Sequence, residues 1–434
     1  MKRESVAVSL RFIEAVYALS ALFVLTQGPV YRLWSESSGV VGRLPEPSVS
    51  QAHLASFIFV QLPGVALWLR RVDQKWLLEY SNRALIALIS WLGLSVLWSA
   101  FARQSSSEFV ALVFTTMFGL YLATSFSVRE LWLVVASAMA LGVIASWIAV
   151  MRLWESAVNF QEGYWTGIYY NRNSLAPVAT VAIIAIVGVV FTSLTGPGAF
   201  AVRQRVLIGT ASTVVLALAI VELWQSESKT SPIALAAAVV ACVMWLLLRA
   251  VCGRSRIPKR IGAQLLPITF VVGGVALFFG LRIIGSSGAI PTDLATLSSR
   301  RGLWSLSWDG ILEKPLLGWG WMAAWRTPEF FRSGDWWAAW NSVWSHNGYH
   351  DLLLGGGVVA GALFGLFLWF SSRNVGRGAP RVVVAQVLLI GFVLVAATQE
   401  SFFLGSHFAW ALLVAMAVAS QPVGGQPTSS TPAR

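Results

Sequence analysis

The chain contains four histidines, His53, His346, His350 and His407. His346 stands in Ser345-His346-Asn347-Gly348-Tyr349-His350-Asp351, where a long mixed segment runs into an apolar one. A loop histidine beside an amide and a carboxylate suits proton transfer or the holding of a phosphate oxygen. A histidine that only caps the following helix would look the same, so residue types alone leave both readings open. His350 falls inside the apolar run and reads as a residue that packs there or supports the residues of the site. His53 and His407 have no charged residue beside them and read as structural.

Four cations are the second set of interest. Arg300 and Arg301 precede an amphipathic stretch. Arg172 lies in Tyr170-Asn171-Arg172-Asn173-Ser174, and Lys229 in Ser226-Glu227-Ser228-Lys229-Thr230-Ser231. The paired donors of a guanidinium match the oxygens of a pyrophosphate. Any one of the four could be an interfacial side chain whose charge reaches for water, but several on one side of a membrane ask for an anion. Carboxylates are not grouped as a divalent metal requires: Glu36 and Glu46 form no Asp-x-Asp pair. No metal and no cofactor are therefore expected. Gly355-Gly356-Gly357 lies in an apolar run and starts no phosphate-binding loop. Cys242 and Cys252 imply no disulfide framework.

These residues must be positioned by membrane-spanning helices. Of 434 residues, 56% are hydrophobic and only 12% are charged, about half the usual share of charge in a soluble domain. That balance excludes a water-soluble enzyme and a disordered scaffold. Crossing a bilayer takes about 20 residues of helix. Twelve apolar stretches approach or exceed that length: 8–26, 52–69, 83–100, 108–126, 130–150, 174–194, 206–224, 232–250, 261–284, 349–371, 382–398 and 402–420. No cleavable signal segment is evident, and the first run serves as a span. Fifteen Lys and Arg fall on one alternating set of short connections and six on the other. The positive-inside rule places the richer set, with both termini, in the cytoplasm. Arg172, Lys229, Arg300 and Arg301 then lie outside. The net charge of +12 reads as orientation and contact with anionic membrane lipids, and nucleic acid is not implied.

The expected organisation is all-α and polytopic, with about 12 transmembrane helices. Residues 1–284 hold helices 1–9, 285–348 a large external loop between helices 9 and 10, 349–420 helices 10–12, and 421–434 a disordered cytoplasmic tail. A loop of that size in a compact protein is usually functional. Nine of the chain's 22 tryptophans fall in it. Trp304, Trp308 and Ile311 share a helical stripe that Pro315 ends. The stripe fits an interfacial helix, a lid whose tryptophans stack on sugar rings, or both.

Four stretches together resemble the O-antigen ligase and O-antigen polymerase superfamily of bacterial envelope glycosyltransferases. His346-Asn347, nine residues, then Gly357 is similar to its His-Asn/Ser-x9-Gly signature, with Ala360 and Gly361 departing mildly from the ending. Arg300-x-x-x-Trp304 followed by Lys314-Pro315-Leu316-Leu317-Gly318-Trp319-Gly320 resembles its loop motif. Asn171-Arg172-Asn173-Ser174-Leu175-Ala176 is similar to its Asn-x-Asn-x-x-Ala segment, and Ser228-Lys229 replaces a common Ser-Arg.

The resemblance implies a GT-C-like membrane enzyme in the bacterial inner membrane with its active site on the periplasmic face. It implies metal-independent, inverting transfer of a glycan from an undecaprenyl-pyrophosphate carrier to an acceptor hydroxyl. His346, Arg300 and Arg172 would then be catalytic. Lys229, Arg301, Asn347, Asn173, Trp304 and Asp351 would bind or support substrate. The acceptor is a glycolipid or glycan in a ligase and the next carrier-linked repeat in a polymerase, and the ligase form is favoured by the His-Asn signature. A lipid-linked glycan transporter is the alternative of another class. It would require mid-membrane charges or matching halves, and only Glu222 is a candidate deep charge.

Overall fold

The computed structural model describes residues 2–31, 51–72, 79–152, 157–159, 162–195, 200–254, 264–270, 300–327, 344–403, 405 and 407–419. Among them the chain is helical, with one isolated bridge between Val158 and Trp165. The helices are α1 Lys2–Leu25, α2 Gln51–Arg71, α3 Tyr80–Leu94, α4 Ala102–Ser125, α5 Val128–Met151 and α6 Arg172–Val189. They continue with α7 Val202–Gln225, α8 Thr230–Arg254, α9 Arg301–Glu313, α10 Gly348–Gly376, α11 Pro380–Ala396 and α12 Phe408–Val418. A 3-10 turn extends α3 to Trp98, and a π turn extends α6 to Leu194.

Seven of these are long and apolar enough to cross a membrane: α3 to α8, with the two extensions, and α10. α11 and α12 are apolar but shorter. Helices satisfy their own backbone groups, which is what hydrocarbon surroundings demand. Such an architecture is that of a polytopic membrane protein. Most of the expected ninth span, segments 285–299 and 328–343 of the large loop, and the tail from 421 lie outside the described residues.

Side-chain contacts fix which helix ends lie together. Arg249 on α8 donates from Nη1 to the carbonyl of Gly376 at the end of α10 (2.7 Å). Asn374, also near that end, donates to Ser81 at the start of α3 (3.4 Å). Arg71 at the end of α2 pairs with Glu14 of α1 at 2.5 Å, and Arg11 donates to the carbonyl of Ser125 at the end of α4. At the opposite end of the bundle, the Gly348 N–H that opens α10 donates to the carbonyls of Ala397 (2.8 Å) and Glu400 (3.1 Å), just past α11. That second end carries the site.

The long helix α10 is broken where the sequence has three consecutive glycines. Gly357 adopts φ 66° and ψ −167°, a region essentially open to glycine alone. In an unbroken helix the Val358 N–H would donate to the Leu354 carbonyl. Here Val358 donates to the Pro315 carbonyl (2.8 Å), and Leu354 accepts from the Trp319 N–H (2.7 Å). The indole of Trp91 on α3 donates to the Gly356 carbonyl (2.7 Å). The Pro315–Trp319 turn is thus inserted into the break and replaces the missing helical bonds. Gly318, at φ +69°, faces this backbone, where an added Cβ would stand 2.5 Å from the Leu354 carbonyl oxygen.

The last helix begins later than the apolar pattern predicts. A span from 402 was expected, but α12 starts at Phe408. The preceding stretch is irregular: Glu400 and Ser401 are polar, and Gly405 lies against the α4 backbone, where a Cβ would be 2.6 Å from the Leu112 nitrogen. Irregular backbone between apolar helices is tolerated where protein covers it, and Ser401, Phe402 and Phe403 are buried.

Candidate functional site

The site is assembled at the junction of α10 and α11. Asn347 is the N-cap of α10, its Oδ1 accepting from the N–H groups of Tyr349 (3.0 Å) and His350 (3.3 Å). Its neighbour His346 is therefore not the cap, which removes the plain capping explanation for that histidine. His346 instead holds a left-handed backbone, φ 52°, a conformation that non-glycine residues adopt at a cost and that clusters at functional sites. Its ring lies edge-on to Trp344, with centroids 6.2 Å apart.

Opposite His346 stands Glu400, on the turn after α11. One carboxylate oxygen, Oε1, is 3.0 Å from Nη2 of Arg300, and the other, Oε2, is 3.7 Å from Nδ1 of His346. Arg300 also donates from Nη1 to the Gln399 carbonyl. A guanidinium over the carbonyls of a helix C-terminus is electrostatically favoured. Burial by itself would push the Glu400 carboxyl up. The Arg300 and His346 side chains outweigh that and hold it below its ordinary range.

Asp351 braces both sides of this group. Its Oδ1 accepts from the Ser345 N–H (2.8 Å), immediately before His346, and its Oδ2 from the Ser401 hydroxyl (2.5 Å), immediately after Glu400. Ser345 Oγ in turn donates to the Asn347 carbonyl (2.7 Å). Asp351, Ser345 and Ser401 are all buried. A buried carboxylate is tolerated when its oxygens are used in this way.

A second group sits on the ends of α6 and α8. Asn171 caps α6, accepting from the Ser174 N–H (2.9 Å). Arg172, the first helical residue, lies over the Tyr164 ring, 4.6 Å from its centroid. Asn173 Oδ1 accepts from Ser228 Oγ (3.2 Å), so two segments far apart in sequence meet, with Lys229 following Ser228 into α8. Glu227 holds φ 50°, which turns the chain there. Both α6 and α8 pack along α11, the helix that leads to Glu400.

The loop helix α9 differs in detail from its expected stripe. Its buried positions are Leu303, Ser307, Gly310 and Ile311, one residue ahead of the Trp304–Trp308 line. Trp308 is 50% exposed, and Trp304 is half-buried and edge-on to the His350 ring (6.4 Å). The face is set by the contacts of Leu303 and Ile311 with Trp319, Trp325 and Leu354, not by the largest side chains. Trp319 donates from Nε1 to the Gly310 carbonyl (2.9 Å) and carries Lys314 over its ring (3.7 Å). Arg301 opens α9, and its side chain lies outside the described residues. Beyond the inserted turn, Arg326 reaches Glu108 of α4 at 3.8 Å and ties the loop to the bundle.

Sequence reasoning missed Glu400. Its signal was an acid at the end of an apolar run, as Glu222 also is. Among the described residues no group of three or more His, Cys, Asp and Glu is arranged to hold a metal ion.

Fold and site together define a polytopic helical membrane protein with a histidine and several cations at one end of its bundle. Residues 212–365 match the family model described as O-antigen ligase. The matched stretch contains Lys229, Arg300, His346 and Gly357, so the resemblance to the O-antigen ligase superfamily is shown. Arg172 and Glu400 lie outside it. No curated protein matches the chain.

Proposed function

We propose that the protein transfers a glycan from an undecaprenyl-pyrophosphate carrier to an acceptor sugar hydroxyl, on the external face of the plasma membrane, as an O-antigen ligase-like enzyme. The match at residues 212–365 supports membrane glycosyl transfer of the ligase or polymerase type. The observation that carries the finer reading is the convergence of Arg300 and His346 on one carboxylate. In this reading the acceptor oxygen attacks the anomeric carbon from the face opposite the leaving group. The bond to the pyrophosphate oxygen breaks with inversion, and the undecaprenyl pyrophosphate departs with the electron pair. Arg300 and Arg172, with Lys229 and Arg301, would carry the charge that develops on it. Donors aimed at developing charge are worth on the order of 10²–10³ in rate each, and the cations would do this without a metal. Pyrophosphate is a good leaving group, so His346 would orient the acceptor hydroxyl and accept its proton late. Asn347, Asn173, Asp351 and Trp304 would support these groups.

The test is transfer by purified protein in the presence of EDTA, with an undecaprenyl-pyrophosphate glycan and either a core-type acceptor or none. Product on the acceptor, lost in His346→Ala and Arg300→Ala with folding intact, is expected. A ladder built from the donor alone would assign the polymerase reaction, joining lipid-linked repeats. Near-full activity in His346→Ala would overturn the assignment of that residue. Movement of donor across liposomes without any transfer would make the protein a transporter.

A further inference from the structure

Glu400 stands between Arg300 and His346, with one carboxylate oxygen toward each. Arg300 gives Nη2 to Oε1 at 3.0 Å, and its Nη1 is occupied by the Gln399 carbonyl. The 3.7 Å separation of Oε2 from His346 Nδ1 is longer than a hydrogen bond. The three side chains are only 12–21% exposed, so the charges of Arg300 and Glu400 interact with little screening. Around them, His407 reaches the carboxylate's field from the N-cap of α12, and Asp351 lies behind Ser345 and Ser401. A guanidinium already satisfied by a carboxylate is a poor receptor for another anion. A pyrophosphate entering this site must compete with Glu400 for Arg300.

We propose that Glu400 is a positioning residue with an exchangeable partner: it holds Arg300 until the donor's pyrophosphate takes that guanidinium over, and it holds His346 before and after. The proposal rests on the transfer reading above and names a residue that reading does not use. The exchange has a direction. A pyrophosphate dianion carries more charge than a carboxylate, and several N–H donors of Arg300 can turn to it. The carboxylate left behind keeps its other oxygen beside Nδ1 of His346. Donor binding and the placement of His346 are thereby linked through one side chain that contacts both.

The experiment uses full-length protein in nanodiscs and undecaprenyl pyrophosphate as the probe. Binding is measured for the wild type, Glu400→Gln, Glu400→Asp and Arg300→Ala, with melting temperatures recorded alongside. Removing the competing charge is expected to tighten binding about fivefold or more in Glu400→Gln and less in Glu400→Asp, while Arg300→Ala weakens it about tenfold. In transfer, Glu400→Gln is expected to lower kcat tenfold or more without raising donor KM. Glu400→Asp should recover part of the lost kcat.

Unchanged or weaker binding in a folded Glu400→Gln overturns the exchange. A kcat equal to that of the wild type in a folded Glu400→Gln overturns the hold on His346. Should Glu400→Gln fail to fold, Glu400→Asp carries the test alone, and binding no tighter than wild type overturns the proposal. Should the wild type bind the probe but transfer nothing, the transfer reading fails while the binding comparison still decides the exchange.

Discussion

The carbonyl oxygen of Leu316 occupies the space in which a side chain on Gly357 would begin. One residue belongs to the loop turn and the other to a membrane helix, and each depends on the other. The turn finds its hydrogen bonds only because α10 is broken, and the break is tolerable only because the turn fills it. The interval from the Asn347 cap to Gly357 is therefore a fixed length: the helix must run that far before it receives the loop.

Gly357→Ala is expected to destabilise the protein severely. The positive φ costs about 1–3 kcal/mol for a residue with a side chain, and the overlap with Leu316 adds to it. Gly365, on the same helix, has nothing within 4 Å of an added Cβ, so Gly365→Ala should leave stability unchanged or slightly raised. Thermal unfolding followed by size-exclusion fluorescence compares the two, and equal melting temperatures would refute the interlock.

Asp351→Ala removes the acceptor from two buried donors, the Ser345 N–H and the Ser401 hydroxyl. Each orphaned donor costs about 1–3 kcal/mol, so a clear fall in melting temperature is expected, with transfer lost. Asp351→Asn retains one acceptor oxygen and should fall between Asp351→Ala and the wild type in both measurements. Full transfer by Asp351→Ala would show that His346 and Glu400 hold their places without it.

Asn173 and Ser228 should act as one unit. Asn173→Ala and Ser228→Ala are each expected to slow transfer, and the double variant should be little worse than the slower single. A coupling energy of about 0.5–1.5 kcal/mol, that of one hydrogen bond, is the expected result of the double-mutant cycle. Strict additivity would mean that the two segments do not cooperate in holding Arg172 and Lys229.

Stability should depend on Glu400 in one direction of pH. Its folded carboxyl titrates below the ordinary value of 4.5. The stabilisation it contributes is therefore present above that value and is lost as pH falls through the lower folded one. The melting-temperature gap between wild type and Glu400→Gln should be constant from about pH 7 to 5 and close below about pH 4.5. A gap that closed on the alkaline side would contradict the ion pair.

Much of this arrangement is legible in the linear chain. The apolar runs mark the helices because a spanning helix must be apolar along its length, and the described helices coincide with most of them. His346, Asn347, Arg300 and Arg172 are conspicuous because polar groups are scarce there. The spacing of Gly357 from Asn347 is visible as a motif, although its cause is not. What the tertiary structure decided concerns pairings between distant residues. Nothing along the chain ties Glu400 to Arg300 and His346, 100 and 54 positions away, and the fold brings the three together. Asn347 became the helix cap and left His346 to the site, a choice made by backbone torsion. The buried face of α9 followed its contacts with Trp319 and Leu354 and not the positions of its tryptophans. Hydrophobicity is a property of each residue and accumulates along the chain, so a sequence displays it. An ion pair or an inserted turn belongs to two residues at once, and only folding brings them within reach.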